Sequence, residues 1–339
     1  MSDYLAPVQA NGHLLAIMDC LCCFAHNAIR YQYKRPQLHT GDELNIKEGR
    51  HPVIERNLPV GEAYISNDLE LNKMDQQLII LTGPNMSGKS ALLRQTALIT
   101  LMAHTGSFVP SASATIPLTD KIFTRVGASD NLSGGESTFM VEMNESASII
   151  NNITAGSLIL LDEIGRGTST YDGISIAWSI AEYLHQSPHR PKTLFATHYH
   201  ELNELEERLP RAKNFHVTNK EAGNNIIFLR KLARGGSTHS FGIHVAKMAG
   251  MPPALIERAN EILKELEKRS QQKDAAHSSD GTESIKTATV PMPKMQLSIF
   301  DAHSQTFDEI RTLLESTDIN RLTPVEALLK LQEIKNMLK

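Results

Sequence analysis

The sequence predicts an α/β fold built on buried parallel strands, and three stretches predict it. Gln77-Leu78-Ile79-Ile80-Leu81-Thr82 has the length and branching of a buried strand; a glycine-rich loop follows, then helical spacing (Leu92, Gln95, Thr96, Ile99) over residues 91–103. Ser157-Leu158-Ile159-Leu160-Leu161-Asp162-Glu163 is a continuous apolar run that ends on two acids. Thr193-Leu194-Phe195-Ala196-Thr197-His198 is a third such run, ending on a histidine.

The loop after the first strand reads Gly83-Pro84-Asn85-Met86-Ser87-Gly88-Lys89-Ser90, the G-x-x-x-x-G-K-S pattern of a phosphate-binding loop. Gly83 and Gly88 let backbone N–H groups turn inward toward a polyphosphate, and the N-terminus of the following helix adds a favourable dipole. Lys89 supplies a point charge to the β- and γ-phosphates, and Ser90 is the candidate Mg²⁺ ligand. Asp162 stands where a carboxylate for Mg²⁺ and its water belongs, and Glu163 is the candidate general base for an attacking water. His198, at the end of its strand, stands where a γ-phosphate sensor would sit.

Bulk properties bound the rest. A chain of 339 residues with 41% hydrophobic content can bury a sizeable core, in two domains. A formal charge of -4 excludes a global electrostatic pull toward nucleic acid. Nothing reads as a signal peptide or a membrane span. Cys20, Cys22 and Cys23 fit no zinc spacing and read as reduced thiols packed in a cytosolic helix.

Residues 13–33 read as one long helix, and a chain opening inside a helix reads as a fragment. Its basic end, Arg30-Tyr31-Gln32-Tyr33-Lys34-Arg35, is either a solvated helix end or a nucleic-acid contact, the former favoured. Arg50-His51-Pro52-Val53-Ile54-Glu55 and Tyr64-Ile65 read as short strands. Tyr64 is either an adenine-stacking aromatic or an ordinary strand tyrosine. Gly127-Ala128-Ser129-Asp130-Asn131 is a turn-rich loop; Leu132-Ser133-Gly134-Gly135-Glu136-Ser137 then precedes a helix bearing Phe139, Met143, Ala147 and Ile150, a second helix N-terminus suited to an anion. Residues 165–173 form a polar loop that opens a helix through Leu184, and Ile226-Ile227-Phe228-Leu229 is a further strand. Residues 241–249 and 254–268 read as two helices around Gly250-Met251-Pro252-Pro253, a helix-turn-helix that reads DNA or holds a dimer; the acidic face of the second helix favours the dimer. Residues 269–294 have the composition of a flexible linker. Two short helices close the chain, the second opened by the capping box Thr323-Pro324-Val325-Glu326.

These stretches resemble the C-terminal part of the MutS family of DNA mismatch repair ATPases. The resemblance covers nearly the whole chain. It rests on residues 82–90, on Ser137-Thr138-Phe139-Met140-Val141-Glu142-Met143, on residues 162–173, on residues 193–202, and on Ser240-Phe241-Gly242-Ile243-His244-Val245-Ala246. It implies an ABC-type P-loop NTPase fold with an N-terminal helix, a C-terminal helix-turn-helix dimerisation element and a small helical tail. It implies residues 1–40 as the end of a helical core region, 41–234 as the ATPase domain, 235–268 as the dimerising element, 269–294 as linker and 295–339 as tail. Gly83 to Ser90, with Ala91, would hold Mg-ATP; Asn85 would sit by the γ-phosphate and the water; Ser137 would reach the nucleotide of a second subunit; Tyr64 would stack on adenine. Position 91 is alanine where the family usually has threonine, which leaves Ser90 as the Mg²⁺ ligand.

The resemblance also implies partners: a homodimer, or a tetramer through the tail; mismatched double-stranded DNA in the full-length context; and a MutL-type repair factor. It implies a cytoplasmic, nucleoid-associated location. Gln296-Leu297-Ser298-Ile299-Phe300 resembles the pentapeptide by which bacterial repair and replication proteins bind the sliding clamp, the alternative being a segment that packs locally. The mismatch-reading regions lie outside the resemblance, and Phe307-Asp308-Glu309, in the terminal hairpin, reads as packing. The chain alone is expected not to select mismatches.

Overall fold

The computed structural model describes residues 2–84, 87–127, 137–222, 225–237 and 242–276. Its elements run α1 (Ser2–Tyr31), β1 (Gln37–His39), β2 (Leu44–Gly49), β3 (Asn67–Leu71), β4 (Leu78–Thr82), α2 (Lys89–His104), β5 (Ser113–Pro117), β6 (Ile122–Arg125), α3 (Thr138–Asn151), β7 (Leu158–Asp162), α4 (Thr170–Gln186), β8 (Lys192–Ala196), α5 (Leu205–Arg208), β9 (Ala212–Ala222), β10 (Asn225–Arg234), α6 (Gly242–Met248) and α7 (Pro253–Ala276). The chain divides into two compact units, residues 1–256 and 257–339.

The first unit is mixed α/β with two sheets. The larger has strand order β10-β9-β4-β8-β7-β6. All its neighbours pair in parallel except β9 and β10, which form an antiparallel edge. Strand periodicity divides the apolar residues between its two faces. Ile79, Leu81, Leu158, Leu160, Leu194 and Ala196 pack on the side of α2 and the smaller sheet (order β1-β5-β2-β3). Leu78, Ile80, Ile159, Leu161 and Phe195 pack on the side of α4. Burial on both faces explains why these strands read as unbroken apolar runs.

Several expectations are corrected. The stretch 50–55 is no strand: Pro52 lacks an N–H, His51 Nδ1 accepts from the N–H groups of both Val53 and Ile54 (3.2 Å each), and the chain turns into a 3-10 helix, Glu55–Asn57. Tyr64 and Ile65 lie in the loop before β3. The N-terminal helix starts earlier than residue 13 and ends at Tyr31, where Gln32 takes φ +55° and Tyr33 N–H closes on Ala28 O (3.0 Å), a left-handed cap. The basic side chains of its end, Arg30, Lys34 and Arg35, are exposed, as the favoured solvated end has it, while Tyr33 is buried and the Arg30 and Arg56 guanidinium groups lie 5.6 and 4.6 Å from the Tyr31 ring centre. Cys20, Cys22 and Cys23 are exposed on α1, not packed. By length and composition alone Tyr4–Tyr31, with a mean hydropathy of 1.3 over its best window, is apolar enough to cross a membrane, against the expectation that no such segment exists. Asp19 near its middle counts against that use, since an acid at the bilayer centre costs about 2.5–3.5 kcal/mol. Helix α7 runs to Ala276, through the first residues of the expected linker; Ser270 to Ala276 contain no glycine or proline, and Gln, Lys and Ala propagate a helix well. The tail, with its clamp-like pentapeptide, lies outside the described residues.

The edge of the large sheet away from the glycine loop is closed by a polar knot. Gln77 Nε2 donates to Leu184 O (2.9 Å), and its Oε1 accepts from Arg211 Nε (2.9 Å). Arg211 Nη2 donates to His185 O (2.6 Å), and its backbone N–H donates to His185 Nε2 (3.3 Å). That last bond fixes His185 as the neutral tautomer, and burial, with Arg211 and Arg190 nearby, pushes its pKa down from 6.5 to about 4. An unfolded chain binds this proton near pH 6.5 and the folded chain only near 4, so stability is lost as pH falls through that window. Thermal melts of the parent between pH 7.5 and 4.5 should show a steeper fall than those of His185→Gln; parallel curves would refute the assignment.

Candidate functional site

Three of the buried strands end together. Across the sheet Leu81, Ala196 and Asp162 share one row, since Leu81 pairs with Ala196 and Ala196 with Asp162. The next residues continue it: Thr197 N–H donates to Leu81 O (3.0 Å) and Glu163 N–H to Ala196 O (2.9 Å). The glycine loop, the acid pair and the histidine therefore leave the sheet at one edge.

Gly83 and Gly88 take φ +137° and +106°, where a side chain is strained even though nothing crowds a Cβ at Gly88. Gly88 caps α2, and its carbonyl accepts from Leu92 N–H (3.0 Å). Lys89, in the first turn, is 4% exposed and folds back so that Nζ donates to Gly83 O (2.5 Å) and Pro84 O (3.1 Å). Burial pushes its pKa down, against the pull of Glu163 and Asp162. Burial pushes the Asp162 carboxyl up, against a hydrogen bond from Ser90, and Asp162 Oδ1 is buried without a hydrogen-bond partner, as is Ser87 Oγ. A buried carboxylate oxygen with no donor, beside a serine hydroxyl, is the donor set that a hard divalent cation takes. Asn85 and Met86 lie outside the described residues. Ala91 is half-buried behind the loop.

Glu163 takes φ +53°, and its Oε2 accepts from Arg166 Nη1 (2.7 Å). His198 stacks on Tyr199 with ring centres 4.1 Å apart. Burial depresses its pKa, against the pull of Glu163, which leaves the imidazole neutral at neutral pH. Gly83, Pro84, Glu163, Arg166, His198 and His200 line one cavity of about 210 Å³. Both ring nitrogens of His200 are buried without a hydrogen-bond partner. A second cavity, of about 310 Å³, joins Asp162, Glu163 and Arg166 to Arg125, Thr138 and Glu142. Ser137 caps α3: its hydroxyl accepts from Met140 N–H (3.2 Å). The segment 128–136 before it lies outside the described residues.

Tyr64 reaches this site from its loop. With Ser87, Gly88, Ala91 and Arg230 it lines a third cavity, of about 280 Å³. Its hydroxyl donates to Gln95 Oε1 (3.0 Å), and burial pushes its pKa up to about 12. Arg230 escaped the sequence reading. It sits at φ +54° where the β9–β10 register shifts between Phe228 and Leu232, and Asn67 ties the bulge down through Arg230 O (3.0 Å) and Leu232 N–H (2.7 Å). Its signal was the charged pair Arg230-Lys231, which interrupts the apolar run of that strand. His200, Arg125 and Glu142 were likewise given no role at the site.

Comparisons with known proteins agree along the whole chain. The DNA mismatch repair protein MutS of Flavobacterium johnsoniae is 59% identical over 338 residues, covering 100% of this chain and 38% of that protein. That of Cytophaga hutchinsonii is 60% identical over 334 residues (98% and 38%), and that of Bacteroides fragilis 56% identical over 342 residues (100% and 39%). The chain thus spans less than two fifths of the length of these curated relatives. The family model of MutS domain V matches residues 79–267, more than half of the chain, from β4 through most of α7. The stretch matched carries the glycine loop, the acid pair and the histidine at one sheet edge, and the chain belongs to the MutS domain V family.

Proposed function

We propose that this chain is the ATPase module of a DNA mismatch repair protein, an ABC-type domain that binds Mg-ATP and hydrolyses it in a site completed by a second copy. The observation that carries this reading is the convergence of Lys89, Ser90, Asp162, Glu163 and His198 at the edge where β4, β7 and β8 end. Lys89 exchanges its two loop carbonyls for the β- and γ-phosphate oxygens, and the turned loop from Gly83 to Gly88, Asn85 and Met86 included, offers backbone N–H groups to the same oxygens. Ser90 and the unpartnered Asp162 Oδ1 would hold Mg²⁺, whose charge offsets that of the phosphates. Glu163, released from Arg166, takes a proton from the attacking water. Neutral His198 donates to the γ-phosphate, and Asn85 orients the same group. Tyr64 and Arg230 embrace the base, and Ser137 donates across to the nucleotide of the partner.

The remaining assignments rest on the same reading. Residues 1–40 belong to a helical core region, 41–234 to the ATPase domain, 235–268 to a dimerising helix-turn-helix, 269–294 to a linker begun by the end of α7, and 295–339 to an oligomerising tail. Gln296 to Phe300 engage a sliding clamp. Mismatched DNA and a MutL-type factor are partners of the whole protein in the cytoplasm, at the nucleoid. The chain alone does not select mismatches, and a band shift with equal affinity for paired and mismatched duplexes is the expected result.

Lys89→Ala should lower ATP turnover by roughly 10²–10³-fold, the loss typical of removing one preorganised donor to a developing charge. Turnover at the parent rate would overturn the site assignment. Glu163→Gln blocks proton abstraction while leaving phosphate binding intact, so sedimentation of this variant with Mg-ATP should reveal a dimer that the nucleotide-free protein lacks. A dimer under both conditions would move association to the helical C-terminal parts. A monomer under both would refute a site completed by a second copy of this chain alone.

A further inference from the structure

Two buried side chains outside the phosphate-facing set grip one glycine between them. Glu142, on α3, is 7% exposed, and its Oε1 accepts from Gly165 N–H at 2.6 Å. Tyr199, 5% exposed, donates its hydroxyl to Gly165 O at 2.8 Å. Gly165 therefore has both its N–H and its C=O held, from opposite sides, by side chains 23 residues before it and 34 residues after it. The packing is tight: a Cβ on Gly173 would collide with the Tyr199 hydroxyl and with Gly165 O, and a Cβ on Gly165 would meet the Gly173 backbone. Gly165 itself takes φ +88°.

The clamp touches the reactive edge at both ends. Gly165 lies two residues beyond Glu163, whose φ of +53° is a conformation that a side-chain-bearing residue holds only when its surroundings impose it. Tyr199 follows His198 and stacks on its ring. On the far side Glu142 is one turn into α3, whose cap is Ser137 and whose first residues, Thr138 and Phe139, line the same cavity as Glu163. Arg125, at the end of β6, steadies Glu142. Its Nη2 is 3.7 Å from Glu142 Oε2, its Nε is 2.8 Å from Glu145 Oε2, and its Nη1 donates to Gly127 O, at the entry to the loop that leads to Ser137.

We propose that Glu142 and Tyr199 are positioning residues that transmit the placement of the α3 N-terminus, through the backbone of Gly165, to Glu163 and His198. The inference rests on the ATPase reading and deepens it. Neither residue contacts phosphate. A second copy that engages Ser137 shifts α3, Glu142 carries that shift to Gly165 N–H, and Tyr199 carries it from Gly165 O to the His198 ring. Turnover then answers to the second subunit while ATP affinity, set by the glycine loop, does not.

The test uses the full chain, with Lys89→Ala as the reference for an inactive site, and measures kcat, KM and equilibrium Mg-ATP binding. Tyr199→Phe removes only the hydroxyl on Gly165 O, and Glu142→Ala removes the acceptor for Gly165 N–H. Each should lower kcat by roughly ten- to a hundredfold, as small misplacements of catalytic groups do, with KM and the ATP Kd within about twofold of the parent. Glu142→Gln keeps an acceptor oxygen and should restore kcat to within about threefold. Parent-like kcat in both Tyr199→Phe and Glu142→Ala would overturn the proposal. So would ATP binding that weakens in step with kcat, the mark of a merely structural role, or a Glu142→Gln variant as impaired as Glu142→Ala. Absence of Lys89-dependent turnover in the parent would sink the ATPase reading itself; parent turnover left intact by Tyr199→Phe and Glu142→Ala sinks only the relay.

Discussion

Five buried residues in each of β4 and β8, and four in β7, lock three neighbouring strands in a single parallel register. Every polar group of the site depends on that register. Side chains alternate between faces, so a slip of one residue in any of the three would turn its apolar set over. Leu81, Ala196 and Asp162 share a row; just beyond it Thr82 and Thr197 are still fully buried, while Asp162, Glu163 and His198 are half-buried at the edge. The strands are too apolar to bind anything along their length. What they do is deliver a glycine turn, a carboxylate pair and an imidazole to one edge, backed by the N-terminus of α2.

The same burial makes the edge electrostatically unfinished. Lys89 is driven toward its neutral form and Asp162 toward its protonated form, each by desolvation and each against a partner that pulls the other way. Lys89 settles on two carbonyl oxygens, which satisfy two of its three N–H groups but not its charge. Asp162 keeps one buried oxygen with no hydrogen-bond donor among the described residues. A buried group without a partner carries a desolvation cost of about 1–3 kcal/mol, more when it is charged. A polyphosphate with its cation relieves both at once, since it brings negative charge to Lys89 and positive charge to Asp162. On the proposed reading, these charges in want of partners near the glycine loop are what would favour that class of ligand.

Much of this was legible in the sequence, because it is local. The glycine loop between strand and helix, the acid pair ending an apolar run, and the histidine ending another each carry their meaning within about ten residues. The smaller sheet was not legible. Its strands are three to six residues long: β1 is largely exposed, and although β3 alternates strictly between buried and exposed, five residues are too few to stand out. The stretch from Arg50 to Glu55 looked extended until His51 captured two backbone N–H groups and turned it. Tyr64 was singled out for its position before the loop strand, yet it comes to the cavity from a loop and is held by Gln95, 31 residues away. Arg230 needs a bulge, Glu142 needs a glycine on another element, and Tyr199 needs both; none of these pairings has a sequence period.

The backbone at Gly165, held on both sides of its Cα, is a stiffer coupling than a chain of side chains would be. A long side chain in a relay absorbs displacement by changing rotamer, at about 0.5–1.5 kcal/mol for a strained torsion. Gly165 is gripped at its N–H, in the planar peptide group shared with Ile164, by a buried carboxylate, and at its C=O, in the next planar group shared with Arg166, by a buried phenol. For either group to rotate, its buried hydrogen bond would have to be given up. The glycine pair, Gly165 against Gly173, leaves no slack in the third direction. In the proposed relay, motion of α3 reaches the turn that carries Glu163 through these two anchored groups. The choice of glycine at 165 follows from the same need: its φ of +88° and its contact with Gly173 exclude a side chain, and the bare backbone is what both gripping groups require.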